Sequence, residues 1–356
     1  MGLFYPGLLV INIVFVLLWI LKRKKYFWLS LAGILLGLPV LMKFVQSDPP
    51  PGGLNSAPNN TSIKLLSYNV RLFDLYNWKD DKNRVTRDKI FDFLKKEDAG
   101  LICLQEFFSN DTGYFPTLDT IVKFQSAKFY HVEYTATIKG VNHWGIATFS
   151  KYPIVGKGKI KFDSAGNNIC IYTDVKIGKD TLRVFNAHLG SVHFDYDEYD
   201  LMENINKIDP GYKDDKNRDS SGPLGNSAQI KKITDKDAKT FSVVKKMFQH
   251  LRLAFIKRAE QSNRIAENIN SSPYPVIICG DFNDTPISYA YNRIANNLND
   301  AFLISGKGIG RTYLGVFPSF RIDYILHDKS IKSSGFRTIT SNNLSDHFPL
   351  SCNLEL

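Results

Sequence analysis

The stretch PYPVIICGDFNDTP, Pro273 to Pro286, decides how the chain is read. Val276-Ile277-Ile278-Cys279 is an apolar, β-branched run of the kind that forms a strand covered on both faces. It breaks off at Gly280-Asp281-Phe282-Asn283-Asp284, where an acid and an amide stand two residues apart. Turn formation alone accounts for Asp281 and Asn283 taken in isolation. The pattern recurs, however. Asn69 follows LLSY, Glu106 follows ICLQ, His188 closes RVFNAH, Asp323 stands in RIDYIL, and Asp346-His347 precede FPL. Apolar strands that each end in a polar side chain hold those groups rigidly at a surface.

The 356 residues are 44% hydrophobic, 22% charged and 13% aromatic, a globular composition with a well-filled core. Four scattered cysteines, with no CxxC spacing, exclude a disulfide framework and a cysteine metal site. Cys103 and Cys279 sit in apolar runs and read as small core residues. Of the formal charge of +10, residues 1–56 carry Lys22, Arg23, Lys24, Lys25 and Lys43 against Asp48. The excess on the remainder suits an anionic substrate or surface and identifies neither.

Residues 1–46 hold two apolar stretches, Gly2 to Leu21 and Tyr26 to Met42, divided by Lys22-Arg23-Lys24-Lys25. Stretches of about 20 residues predict a transmembrane helical hairpin. A signal peptide fits less well, because the basic cluster lies between the stretches. The positive-inside tendency keeps the basic turn cytoplasmic, and everything beyond the hairpin then faces the extracytoplasmic side. Residues 47–62, with four prolines and paired glycines, form a linker.

Residues 63–356 read as one domain. Strands are predicted at 63–70, 101–107, 130–137, 144–150, 168–177, 182–188, 276–279, 321–327, 336–340 and 350–356. Helices are expected at 84–96, 118–129, 241–270 and 287–296. A charged insertion near 192–237 interrupts the domain, a rim, a lid or a solvated excursion. Strands running to polar ends, with helices outside and a hairpin at Gly178-Lys179-Asp180, imply an α/β sandwich of two mixed or antiparallel sheets.

The ordered set LLSYNV (65–70), ICLQE (102–106), WGIATFSKYPI (144–154), NAHL (186–189), GDFND (280–284), RIDYIL (321–326) and SDHFPL (345–350) resembles the endonuclease/exonuclease/phosphatase superfamily. The resemblance implies a four-layer α/β/β/α sandwich and metal-dependent hydrolysis of phosphate esters. It implies Glu106 as a Mg²⁺ ligand, with Mn²⁺ as a substitute, and Asp346 either completing the metal environment or standing behind the ligands. Asn69 orients the metal carboxylate or phosphate. Asp281 is the general base or water-orienting carboxylate, and Asn283 donates to a phosphate oxygen. His347 contacts phosphate while Asp323 accepts from its other ring nitrogen, which favours imidazolium. His188 resembles the family's second histidine, contacting phosphate, and the leaving-group proton comes from it or from a metal-bound water. Arg321 positions the strand that carries Asp323 or touches substrate, and Thr312-Tyr313 lie near the catalytic side without a chemical step. His131, His143, His193, His250 and His327 receive no role.

The substrate remains open among phosphodiesters and phosphomonoesters. Membrane attachment and the basic, apolar helix at 241–258 favour a phospholipid or similar headgroup, and the alternatives are an extracytoplasmic nuclease acting on nucleic acid and a noncatalytic phosphate-binding domain. A nuclease needs bases spaced along a groove, whereas a lipid enzyme needs an apolar approach to the metal site.

Overall fold

The structure, a computed structural model, describes residues 5–47, 62–75, 84–113, 115–125, 128–163, 166–192, 227–315 and 321–356. The chain opens with α1 (Tyr5–Leu21) and α2 (Phe27–Leu41), followed by β1 (Val45–Gln46). It continues through β2 (Ser62–Asn69), α3 (Arg84–Glu97), β3 (Leu101–Asn110), α4 (Thr117–Gln125), β4 (Phe129–Ile138) and β5 (Asn142–Ser150). Next come β6 (Ile154–Ile160), β7 (Ile169–Ile177), β8 (Asp180–His188), the long α5 (Ser227–Asn270) and β9 (Val276–Asp281). The last elements are α6 (Tyr289–Ile294), β10 (Leu298–Asp300), α7 (Ala301–Ser305), β11 (Gly308–Ile309), β12 (Asp323–Asp328), β13 (Lys332–Thr338) and β14 (Leu350–Glu355).

Two six-stranded sheets carry the fold, one in the order β10-β12-β9-β8-β7-β6 and the other β13-β14-β2-β3-β5-β4. Each is mixed, with a single parallel pair, β8–β9 in the first and β2–β3 in the second. Alternation explains the layering. In β2, Ile63 and Leu65 face the other sheet, while Leu66 and Tyr68 face the helical side with Ile90 and Leu94 of α3. In β9, Ile277 and Cys279 meet that same inter-sheet core, and Val276 and Ile278 pack outward with Ile265 and Ile269 of α5. A strand covered on both faces has no polar side to show, hence the continuous apolar run. All four cysteines are buried and unpaired.

The N-terminal helices do form a hairpin, closed where the Tyr5 hydroxyl donates to the Gly37 carbonyl at 2.6 Å. The expected membrane spans do not follow from it. The helices have 17 and 15 residues, the second containing Pro39. At 1.5 Å per residue they reach about 26 and 23 Å, short of a hydrocarbon core of about 30 Å. Among the described residues no helix is long and apolar enough to cross a membrane. Past α2 the chain turns back onto the sandwich. β1 pairs with β11, the Phe44 carbonyl accepts from Gly310 N at 2.9 Å, and Lys43 Nζ donates to Asn292 Oδ1 at 3.0 Å. The transmembrane assignment, the lipid-bilayer partner and the extracytoplasmic location inferred from it are therefore withdrawn.

Other differences are local. Helix α5 starts at Ser227, within the stretch read as a charged insertion; the rest of that insertion and most of the linker lie outside the described residues. Strand β6 and the short elements β10, α7 and β11 carry too little periodicity to be seen in sequence. On α3, Val85 is 54% exposed, whereas Ile90 and Leu94 are fully buried.

Candidate active site

The first sheet brings three of the predicted groups side by side. His188 ends β8 and Asp281 ends β9, and the two are register partners across the parallel pair. Asp323 opens the antiparallel β12 and is the register partner of Asp281 on its other side. One sheet edge therefore presents a histidine and two carboxylates in adjacent ladder positions. All three are buried.

The second sheet supplies Asn69 at the end of β2, Glu106 from β3, and Asp346-His347 from the loop entering β14. Glu106 is not at a strand end. It sits where the β3–β5 register shifts between Leu104 and Phe107, with φ +49°. A bulge re-aims the side chain, and the left-handed backbone stores strain at the site. Beyond Asn69 the residues Arg71, Leu72, Phe73 and Asp74 all have positive φ, between 45° and 63°. Left-handed turns of this kind cost roughly 1–2 kcal/mol per residue for L side chains. Here the turn brings Arg71 Nε to 4.0 Å from Asp346 Oδ2 and is anchored by burial of Phe73 among Phe91, Phe107 and Phe115.

The groups converge on one atom, Asp281 Oδ2. Asn69 Nδ2 donates to it at 3.1 Å and Asn283 Nδ2 at 3.2 Å. His347 Nε2 stands 3.6 Å away and His188 Nε2 3.7 Å away. Asn69 Nδ2 also reaches Glu106 Oε1 at 3.2 Å, and His188 Nε2 lies 3.7 Å from that same oxygen. The predicted Asp323–His347 pair is present, with Nδ1 facing the two carboxylate oxygens at 2.9 and 3.1 Å. Asn283 differs from expectation. Its amide donates to Leu189 O at 3.0 Å as well as to Asp281, so both hydrogens are committed within the loop.

Electrostatics follow from burial and pairing. Burial raises the Asp281 carboxyl to about 6, against the pull of His347, with Asp323 adding to the rise. Burial alone lowers the His347 imidazolium, but Asp323 and Asp281 outweigh it and hold the group up at about 10. His347 is thus a cation between two acids at neutral pH. Burial also raises the Glu106 carboxyl, and the Asp346 charge adds to that effect, while His347, Asn69 and Arg71 oppose it.

Asp281, Asp323 and His347 place their polar atoms within 4.8 Å of one another, a buried set compatible with divalent-metal catalysis. An imidazolium has no lone pair to give a metal, however. The site's other carboxylates are Glu106 and Asp346, with Asp346 adding to the rise that burial gives Glu106, and carboxylate oxygens suit a hard cation. The donor set fits the group.

Several contributors escaped the sequence reading. Gln105 and Asn186, both fully buried, bridge the sheets directly under the site, Gln105 Nε2 donating to Asn186 Oδ1 at 2.7 Å. Amides inside apolar runs beside Glu106 and His188 are their only sequence signal. Thr312 Oγ1 accepts from both Ile322 N and Asp323 N, at 3.0 and 3.1 Å, and its carbonyl accepts from Phe348 N at 2.7 Å. It clips together the two segments bearing Asp323 and His347. Arg321, expected on the catalytic side, is buried and turned to Asp300, at 2.7 Å.

Comparison with known proteins places this arrangement. The profile of the endonuclease/exonuclease/phosphatase family matches residues 66–347, and one described only as a domain of unknown function matches residues 1–44. No curated protein matches. Among solved structures, an endonuclease/exonuclease/phosphatase family protein from Bacteroides thetaiotaomicron aligns with TM-score 0.54 at 17% identity, over 83% of this chain and 98% of its own. One from Bacteroides vulgatus aligns with TM-score 0.53 at 15% identity, over 83% and 99%. The catalytic domain of human Nocturnin with bound sulfate aligns with TM-score 0.52 at 16% identity, over 83% and 97%. At these identities the likeness is one of fold.

Proposed function

The chain belongs to the endonuclease/exonuclease/phosphatase family, and from that premise we propose that it hydrolyses phosphate esters by attack of water, with Asp281 as the base. The observation that carries the reading is the convergence of Asn69, Asn283, His188 and His347 on Asp281 Oδ2. A carboxylate raised to about 6 is ionised at neutral pH yet basic enough to take a proton from water.

Glu106 and Asp346 hold the cation, which we assign as Mg²⁺ with Mn²⁺ as substitute; when bound it neutralises charge on the phosphoryl group as a Lewis acid. Asn69 spans Glu106 and Asp281, so the metal carboxylate and the base keep a fixed separation. His347 directs an Nε2 hydrogen at the phosphoryl oxygens, its orientation set by Asp323 at Nδ1. His188 faces both Glu106 and Asp281 and contacts the phosphate from the other side, beside the departing oxygen. Asn283 is a positioning residue that fixes Asp281 through its amide and its backbone N, at 3.2 and 2.8 Å.

The test is hydrolysis of bis-p-nitrophenyl phosphate, p-nitrophenyl phosphate, DNA and RNA with Mg²⁺ or Mn²⁺. Metal-dependent release by the full chain, abolished in Asp281→Ala, is expected. Absence of turnover on every substrate, or equal turnover in the variant, would overturn the reading in favour of a noncatalytic phosphate-binding domain.

A further inference from the structure

Helix α5 carries an inward stripe through Arg258, Gln261, Ile265 and Ile269, and the stripe changes character along its length. Ile265 and Ile269 pack with Val276 and Ile278 of β9, as apolar residues at helical spacing do over a sheet. Arg258 and Gln261 instead face the loops that follow β8 and β9, where the chain offers backbone groups in need of partners. Both are buried, and Arg258, 2% exposed, is the largest fully buried side chain among the described residues. Neither has a place in the chemistry above.

Gly190, two residues beyond His188, is held on both of its backbone polar groups. Its N–H donates to Gln261 Oε1 at 2.9 Å, and its carbonyl accepts from Arg258 Nη1 at 2.8 Å. Arg258 Nε donates to Asp284 Oδ2 at 2.9 Å, three residues beyond Asp281. One rigid guanidinium plane thus spans the loop after β8 and the loop after β9. The Phe255 ring, its centroid 4.8 Å from the guanidinium carbon, packs against that group. The other Asp284 oxygen accepts from Thr285 N at 2.9 Å, so the carboxylate is oriented by its own loop. Nearer the site the two loops are joined directly, Leu189 N donating to Asp281 O at 2.9 Å and Asn283 Nδ2 to Leu189 O at 3.0 Å.

We propose that Arg258 is a positioning residue for the hydrolytic site: it clamps the His188 loop to the Asp281 loop and so sets the 3.7 Å between His188 Nε2 and Asp281 Oδ2. Stabilisation alone does not account for the arrangement, because a buried ion pair holds a fold little better than an apolar pair of the same volume. Direction does. The parallel β8–β9 ladder ends at the His188–Asp281 pair. Past it, among the described residues, the two chains share one further backbone bond, and side chains take over. Asn283 joins the loops beside the site, and Arg258 joins them at their outer ends. The role rests on the phosphoesterase reading for what His188 and Asp281 do, whereas the clamp itself is measured without turnover.

The test is Arg258→Lys in the full chain with Mg²⁺. Lysine keeps the charge but lacks the rigid fork that reaches Asp284 and Gly190 together. On bis-p-nitrophenyl phosphate kcat is expected to fall by about 10- to 100-fold, the scale of a misplacement of about 1 Å, with KM moving by less than about twofold. Hydrogen exchange read by mass spectrometry is expected to quicken together in 187–191 and 281–285, with the central strands of both sheets unchanged. Arg264→Lys, in an exposed pair with Asp163 further along the same helix, is the control and moves neither readout. Asp284→Asn keeps an oxygen for Nε and loses the charge; the same pattern at smaller size is expected there, and it carries the test if the lysine variant does not fold. A folded Arg258→Lys with unchanged kcat would overturn the positioning role, as would exchange that quickens in one loop alone or throughout both sheets. The expected exchange pattern, beside a parent that hydrolyses nothing, would leave the clamp standing and reject the hydrolytic reading.

Discussion

The two sheets contribute to the site in opposite ways. The first supplies His188, Asp281 and Asp323 from neighbouring ladder positions, where regular backbone pairing sets their spacing. The second supplies Glu106 from a bulge with φ +49°, and Asp346 from a loop held near a turn of four left-handed residues. The three groups of the first half are buried. In the second half, the Asp346 side chain is 35% exposed and Arg71 52%. The difference separates two tasks. Proton transfer needs fixed distances, which a ladder provides, whereas an exchangeable hard cation needs carboxylates open to water.

The most severe way to break the comparison is Asp281→Asn. A drop in kcat of about 10³-fold or more is expected, the scale of losing a general base together with its orientation of water. The same variant is expected to be more stable than the parent. Asp281 has its folded pKa raised from 3.8 to about 6, so ionisation opposes folding, a cost that begins above 3.8 and is complete above about 6. Thermal melts across this range should show the variant gaining relative to the parent as pH rises, and an unchanged difference would contradict the assigned environment.

Glu106→Gln tests the other half. A fall in kcat/KM of about 10²-fold is expected, since one of the two cation ligands loses its charge. Added Mg²⁺ should raise the Tm of the parent and of Asp323→Asn, but not that of Glu106→Gln. If all three responded equally, the cation would lie elsewhere.

Asp323→Asn tests the contact between the halves, since Asp323 of the first sheet holds His347 of the second. A loss of about 10- to 100-fold in kcat is expected, with the alkaline limb of the profile moving to lower pH. The sign follows from linkage. The folded pKa of His347 is raised from 6.5 to about 10, so the pair's stabilisation is full below 6.5 and is lost as pH rises through about 10. Denaturant titrations of the variant should show that decline smaller and at lower pH, since Asp281 still faces the imidazolium, and an unmoved decline would assign it to another group.

The smallest effect is expected beneath both halves. Asn186→Ala removes the acceptor of Gln105 and the donor to Ala147 O at 2.9 Å. A destabilisation of about 1–3 kcal/mol is expected from the buried groups left unpaired. Urea unfolding measures it, and a change in the m-value would reveal loosened sheet packing instead.

The sequence by itself determined the strands, the two covered sheets and the identity of the polar groups, because alternation, apolar runs and strand-end residues are local signals. LICLQEF announced a buried strand carrying Glu106, and GDFND announced the loop that turns back onto Asp281. Only the tertiary structure decided that Glu106 lies at a bulge rather than a strand tip, because a bulge is a mismatch between two strands and exists in neither alone. It likewise decided that α1 and α2 have 17 and 15 residues, and that Phe44 and Val45 beyond them pair with Gly310 and Ile309, more than 260 residues away. The convergence on Asp281 Oδ2 has the same origin, as it requires registers between strands that no short stretch can encode.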